Sequence, residues 1–196
     1  MFWSKEKIFF SCNQCGDCCK DMDVPLSHID INRLIQANTG FDSEMFITLV
    51  QPEEITLDCA LLYGSYQELY LTNKLSDNSC IFLKDNKCSI YEYRPNSCRT
   101  WPFSKNLKNK LFIDNVASKL VDTSCSKDRF KAHNQVRENI NDGINEVKEY
   151  REIVKNWNIF VKNNYEIQTL EEFINFFTLK KNINNESSPK QNFRED

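Results

Sequence analysis

Four cysteines stand within eight residues near the start of the chain. They are Cys12, Cys15, Cys18 and Cys19, in the spacing C-x-x-C-x-x-C-C. Two cysteines separated by two residues can wrap a loop around one metal centre. The backbone N–H groups of that loop stay free to hydrogen-bond the thiolate sulfurs. Gly16 relaxes the turn that such a loop needs. Four cysteines within eight residues are unusual for reduced thiols that only pack as small hydrophobic side chains in a core. The cluster therefore predicts a metal site.

A second group of cysteines is spread over the middle of the chain. It comprises Cys80, Cys88 and Cys98, with Cys125 further on. The two groups together hold eight cysteines, which is twice the four protein ligands of a zinc site or of an iron-sulfur cubane. The count therefore suits two sites. The ninth cysteine, Cys59, lies in an apolar run and is predicted to be part of the core.

The adjacent pair Cys18 and Cys19 also favours two sites. Adjacent side chains point to opposite faces of an extended strand, and they diverge by roughly 100° on a helix. Neighbouring cysteines therefore seldom ligate one ion, and each could serve its own centre.

Iron-sulfur chemistry is favoured over zinc by the spacing of the first group. Zinc sites usually combine two separated C-x-x-C pairs, whereas three cysteines at two-residue gaps are typical of iron-sulfur loops. We expect a [4Fe–4S] cluster, with zinc as the alternative. Nine cysteines in a protein that we expect to be cytosolic argue against a disulfide framework, because reducing compartments keep thiols reduced and leave metal ligation or redox chemistry as their main uses.

Charge and hydropathy narrow the location and the partners. The formal net charge is −3 and the chain has no basic block, so nothing indicates a nucleic-acid partner. No apolar run approaches the length of a membrane span. We expect a cytoplasmic protein that acts on or with a protein partner whose identity the sequence does not reveal.

The elements that must position the cysteines mix short helices with hairpins. Ser27 and Asp30 predict a capping box, and a second short helix is predicted from Asp42 through Val50. Hairpins are predicted to turn at Gly64-Ser65 and at Asp85-Asn86. A further strand is predicted over residues 110–116.

The last third of the chain is predicted to be helical. Apolar residues recur at spacings of mostly three or four from Lys127 to Val161, and Thr169 with Glu172 caps a shorter helix. The prediction is an α+β fold, with a metal-organised domain at 1–126, a helical segment at 127–181 packing on it, and a disordered tail at 182–196.

An ordered series of motifs resembles the CxxCxxCC cysteine-cluster family, often called YkgJ-type. The series is Phe10-x-Cys12-x-x-Cys15-Gly16-x-Cys18-Cys19, then Val24-Pro25-Leu26-Ser27, then Cys80-Ile81-Phe82-Leu83, then Cys88 to Phe103 with Arg94-Pro95-x-x-Cys98-Arg99-x-Trp101-Pro102, and finally Cys125. One departure is Ser126-Lys127 after Cys125, where the family would have Pro-Gly. The resemblance implies zinc or iron chelation. A similar cluster in flagellin lysine N-methylases raises a protein-modifying enzyme as an alternative.

Two arginines bracket one of the cysteines. Arg94 and Arg99 lie either side of Cys98, and a guanidinium there would stabilise the negative charge of a thiolate-ligated cluster.

The sequence also bears on the enzyme alternative. No G-x-G-x-x-G loop is present for a nucleotide or S-adenosylmethionine, and catalytic residues are not identifiable. A metal-binding protein with a redox or metal-handling role is the leading hypothesis, and a structural zinc domain presenting an interaction surface is a further alternative.

Overall fold

The fold was obtained as a computed structural model that describes residues 14–20, 22–105, 111–113, 133–164 and 168–186. The predicted helix start at 127–132 and the cysteines Cys12 and Cys125 lie outside these residues. None of the helices in the described ranges is long and apolar enough to cross a membrane.

Helix α1, His28–Gln36, begins where the sequence predicts. The Asp30 backbone N–H donates to the Ser27 hydroxyl at 3.2 Å, and the Asp30 carboxylate accepts from the Ser27 backbone N–H at 3.1 Å. This reciprocal pair is the predicted capping box, and it satisfies two N–H groups that the first turn leaves without helical partners. The box leaves Asp30 buried at the N-terminus of the helix.

Helix α2, Ser43–Phe46, also starts after Asp42 as predicted, but it ends four residues earlier than expected. Residues 47–50 form strand β1, Ile47–Val50, so the prediction that Leu49 and Val50 belong to the helix is wrong. The reason is tertiary: β1 pairs antiparallel along its length with β3, Ser65–Leu71, and a β-branched segment gains more from that pairing than from helix propensity.

Three small antiparallel sheets make up the β structure of the described residues. Strand β2, Ala60–Leu62, completes a sheet of order β1-β3-β2. Strands β4, Leu83–Lys84, and β5, Lys87–Cys88, form the second predicted hairpin, and both of its turn residues have positive φ, 48° at Asp85 and 57° at Asn86. Asp and Asn tolerate that conformation better than most residues, which is why this turn was predictable.

A third sheet pairs β6, Phe103–Lys105, with β7, Leu111–Ile113. Strand β7 confirms the strand predicted at 110–116 over the residues that the structure describes there, 111–113. Along the chain, helix α3, Asn96–Thr100, lies between β5 and β6, and a 3-10 turn at Tyr91–Tyr93 precedes it.

Two helices follow, α4, His133–Asn164, and α5, Leu170–Glu186. The predicted capping box is present in α5, where the Thr169 backbone N–H donates to the Glu172 carboxylate at 2.8 Å. The boundary predicted at residue 182 falls inside α5, and residues 187–196 lie outside the described residues. The mixture of helices and small antiparallel sheets, with a long helix and then a shorter one at the end, is an α+β fold.

Most of the buried hydrophobic residues in the described ranges form one cluster, which the cysteine-bearing region shares with the two last helices. Leu34 of α1 and Leu62 of β2 belong to the same cluster as Trp157 of α4 and Phe173 of α5. The Trp157 indole N–H donates to the Leu61 carbonyl at 2.9 Å, so the largest buried side chain is also fixed in orientation. The α4 helix therefore packs against β2 of the three-stranded sheet.

Candidate metal centre

The first cysteine group sits on a tight turn. Residues Asp17–Cys19 form a single 3-10 turn, and the Cys19 backbone N–H donates to the Gly16 carbonyl at 2.9 Å. Gly16 has φ +80°, and a Cβ there would lie 2.6 Å from the Asn86 carbonyl oxygen and 2.8 Å from Leu83 Cδ1. Only glycine therefore lets this turn pass so close to the β4–β5 hairpin.

Backbone hydrogen bonds connect this turn to the second cysteine group. The Cys80 N–H donates to the Cys19 carbonyl at 2.7 Å, and Lys20 pairs with Ser79 through an antiparallel bridge. Further along, Cys88 of β5 stands opposite Leu83 of β4. Cysteines about sixty residues apart in sequence are thus brought together by main-chain contacts.

Cys98 comes to the same region on α3. The Asn96 backbone N–H, two residues earlier, donates to the Asp30 carboxylate at 2.8 Å, which ties the start of α3 to the start of α1. Asp30 is buried, so this contact is protected from water. The cap residue of one helix thereby also orients the helix that carries a cysteine.

Four of these thiols lie close enough for the charge of one to act on another. Burial raises the pKa of the Cys98 thiol far above its usual range, and the charges of Cys80, Cys18 and Cys88 raise it further. Burial likewise raises the pKa of Cys80 to about 11, opposed by a hydrogen bond from the Phe82 backbone N–H and reinforced by the charges of Cys88 and Cys18. The thiols of Cys80 and Cys98 are therefore harder to ionise than isolated thiols, and a bound cation would offset this effect.

Cys18 and Cys19 touch each other. A hydrogen bond between their side chains is the largest cause that raises the pKa of Cys18, followed by its burial and the charge of Cys19. The 3-10 turn Asp17–Cys19 therefore leaves the two thiols close enough to interact, although they stand on adjacent backbone positions.

The side chains of the neighbouring thiols do not converge on one metal position within the described residues. Among the residues that the structure describes, no group of three or more His, Cys, Asp and Glu side chains has the geometry to hold a metal ion. None of the seven cysteines in those residues forms a disulfide. Side-chain rotation would be needed for ligation, and Cys12 and Cys125 are not among the described residues.

Two cations lie beside the thiols. The Arg94 guanidinium lies 3.5 Å from the centre of the Tyr91 ring, and its charge lowers the pKa of Cys18. Arg94 Nε is buried and has no hydrogen-bond partner within the described residues. Lys74, whose Nζ donates to the Leu83 carbonyl at 2.5 Å, lowers the pKa of Cys80.

Of these two cations only Arg94 was predicted. Lys74 precedes Cys80 by six residues in a loop without a recognisable motif, so no sequence signal marks it. For Arg99, no bond from the guanidinium is seen within the described ranges, and its role stays a prediction. Cys59 is 1% exposed, accepts from the Thr56 backbone N–H at 3.2 Å and is a core residue as expected.

The chemistry of this donor set fits a soft metal. A negatively charged metal–thiolate centre would use the four neighbouring thiols, the Phe82 N–H that donates to the Cys80 sulfur, and the buried Arg94 Nε, which has no partner among the described residues. Ionisation of the thiols would give the two neighbouring cations anionic partners.

Comparison with known proteins gives one family. The family model described as "CxxCxxCC: Putative zinc- or iron-chelating domain" matches residues 11–126, more than half of the chain. No curated protein and no solved structure matches the chain significantly. The matched region contains both cysteine groups, from Cys12 to Cys125. The chain therefore belongs to the CxxCxxCC family of zinc- or iron-chelating domains.

Proposed function

We propose that this protein binds an iron-sulfur cluster on its cysteine thiolates and uses it in electron transfer or metal handling. The observation that carries the proposal is the gathering of four thiols, since the charges of Cys18, Cys80 and Cys88 all act on Cys98. They come from the 3-10 turn, the β4–β5 region and α3, which are far apart in sequence. Four thiolates are the protein ligands that one [4Fe–4S] cluster requires.

The remaining motif cysteines make up a second set of the same size. Cys12, Cys15, Cys19 and Cys125 would complete a second centre, and Cys18 and Cys19 would then be its point of contact with the first. In two-cluster ferredoxins, one closely spaced run of cysteines likewise supplies ligands to both clusters. The cysteine count and the coupling of Cys18 to the second group support the same division in this chain.

Several residues of this chain would stabilise such a centre. Lys74 and Arg94 would compensate thiolate charge, the Phe82 N–H would donate to the Cys80 sulfur, and burial of Cys98 would keep water from one ligand. When bound, the cluster supplies one-electron exchange. The protein's own contribution is the dielectric environment and hydrogen bonding that set its potential.

A structural zinc site is the second candidate. The same four thiols match the Cys₄ ligand set of structural zinc sites. The C-x-x-C-x-x-C-C spacing of the first group favours iron-sulfur instead, because zinc sites usually combine two separated C-x-x-C pairs.

Metal analysis of anaerobically purified protein tests the proposal. We expect iron and acid-labile sulfide, visible colour and a paramagnetic signal on reduction. The Cys98→Ser variant should lose about one cluster's share of iron, because one of four ligands is missing. The matched control is Cys59→Ser, which changes another buried thiol outside the set and should keep full metal content. Zinc without sulfide in the wild-type protein would contradict the iron-sulfur assignment, and equal metal loss in the two variants would contradict the ligand set.

The division of the cysteines between two centres is tested by comparing the Cys18→Ser and Cys19→Ser variants. If Cys18 and Cys19 serve different centres, Cys18→Ser and Cys19→Ser should lose different spectral components, since each substitution disables one centre first. Identical low-temperature paramagnetic spectra with equal metal loss would leave a single centre.

A further inference from the structure

A cleft of about 350 Å³ lies beside the start of α3, and none of its lining residues is a cysteine. It is bounded by the start of α1, by β3 and by α4. Its apolar wall includes Leu26, Leu69 and Val147, and its polar residues include Glu68 and Tyr150. A cleft with an apolar wall and a few polar groups is the usual form of a small-molecule site.

Tyr150 gives this cleft a polar group without a partner. The residue is only 5% exposed, and its hydroxyl has no hydrogen-bond partner among the described residues. Buried tyrosine hydroxyls normally find one, because an unpaired buried polar group costs free energy. Burial, together with the charges of Asp58 and Glu68, raises the pKa of Tyr150 well above its usual range. Both carboxylates line the same cleft as Tyr150.

The carboxylates of the cleft outnumber the cations that pair with them. Asp58 is neutralised by Arg151, whose guanidinium donates to both carboxylate oxygens at 2.8 and 2.9 Å. Glu68 accepts a hydrogen bond from the Tyr70 hydroxyl at 3.1 Å and pairs with no cation in the described part of the chain. Its negative charge is therefore uncompensated.

A second excess charge lines the same cleft. Asp30 and Glu146 share one guanidinium, that of Arg33, at 3.0 and 2.6 Å. Both carboxylates are buried, at 3% and 7% exposure. Two carboxylates opposite one cation leave one negative charge, so the cleft as a whole attracts cations.

We propose that this cleft binds a small organic cation of the alkylammonium type. The ammonium group would donate to the Glu68 carboxylate and to the Tyr150 hydroxyl oxygen, and the alkyl chain would lie along Leu26, Leu69 and Val147. An ammonium is preferred to a metal ion because the described residues include no converging group of three acidic or sulfur ligands. The site is additional to the metal function and does not depend on it.

The cleft also borders the helix that bears Cys98. Asn96 and Ser97 at the start of α3 line it, and the Asn96 N–H is bonded to Asp30. A bound cation would therefore lie beside the element that positions one of the thiols.

Titration of the full chain with n-butylammonium, followed by amide chemical shifts, tests the proposal. We expect saturable shifts at residues lining the cleft, with no such shifts from n-pentanol or butanoate at the same concentration. Glu68→Gln keeps the side-chain shape and removes the charge, so it should weaken binding about tenfold. Glu152→Gln, on the exposed face of the same helix as Tyr150, should bind as the wild type does.

Tyr150→Phe removes only the hydroxyl and should weaken binding a few-fold, with its melting temperature measured alongside. If this variant does not fold, Glu68→Gln against Glu152→Gln decides alone. Unchanged affinity in Glu68→Gln, equal binding of pentanol, or no saturable shift with the cation would overturn the proposal and leave a cleft that holds water only.

Discussion

At the scale of single residues, Gly16 fixes how closely the first cysteine turn approaches the rest of the site. Its positive φ and the short distances to Asn86 and Leu83 make two separate demands for glycine. Gly40 has nearly the same φ, +78°, but an added Cβ there would meet no atom within 4 Å. The two positions therefore separate the cost of backbone conformation from the cost of contact.

We predict that Gly16→Ala destabilises the protein more than Gly40→Ala does. The left-handed conformation alone costs a non-glycine residue about 1–2 kcal/mol, and Gly16→Ala adds overlap with the Asn86 backbone, which cannot turn away. Urea unfolding of both variants and their metal content measure the difference. Since the overlap lies at the cysteine turn, only Gly16→Ala should also lower metal content. Equal losses of stability and unchanged metal in both would show that the close approach is not essential.

At the scale of elements, a buried ion network joins three helices. Arg33 of α1 bonds Asp30 on its own helix and Glu146 on α4, and Asp30 accepts from the first residue of α3. The guanidinium side chain is 22% exposed, whereas both carboxylates are nearly inaccessible. Gly143, three residues before Glu146, faces the Asn96 side-chain amide of α3, which would have to turn away from an added methyl group. These contacts set the position of α3 and hence of Cys98.

Arg33→Met should cost about 3 kcal/mol of unfolding free energy, because it leaves two carboxylates buried without their cation. Adding Glu146→Gln to Arg33→Met should restore part of that loss, since one of the two uncompensated charges is removed. Chemical denaturation of the single and double variants measures both effects. Lys155→Met breaks an exposed pair with Glu152 and should change stability by less than about 1 kcal/mol. A loss in Arg33→Met no larger than in Lys155→Met would mean that the network is solvated in solution.

At the scale of the whole molecule, the last two helices complete the core of the cysteine-bearing region. Trp157, Val154 and Phe173 pack in one cluster with α1 and the three-stranded sheet. The family match ends at residue 126, but the apolar surface of that region is covered by α4 and α5. We therefore expect the stability of the cysteine region and the packing of the two helices to be coupled through this shared core.

Trp157→Ala is expected to destabilise the protein by about 3–5 kcal/mol, because it removes a large side chain that is 1% exposed. Ile159→Ala, on the same helix at 51% exposure, should change stability by less than about 1 kcal/mol. Thermal unfolding of both variants, with metal content measured as each unfolds, tests the coupling. Metal retained by Trp157→Ala after loss of its helical signal would show instead that the cysteine region holds together without α4.

Local signals in the sequence determined most of the elements and the chemical class. The capping boxes at Ser27 and Thr169, the turn at Asp85-Asn86 and the periodicity of α4 depend on neighbouring residues, so they could be predicted. The cysteine spacing likewise indicated metal binding, which the family match supports.

Tertiary structure decided what depends on residues distant in sequence. Strand β1 exists because β3 lies beside it, and the helix predicted through Val50 was wrong for that reason. Which thiols are neighbours follows from main-chain bonds such as that between Cys80 and Cys19, and no spacing rule reveals them. The approach of Lys74 to Cys80 and the cleft at Tyr150 arise in the same way, because burial and electrostatic coupling belong to the assembled core and not to any local pattern.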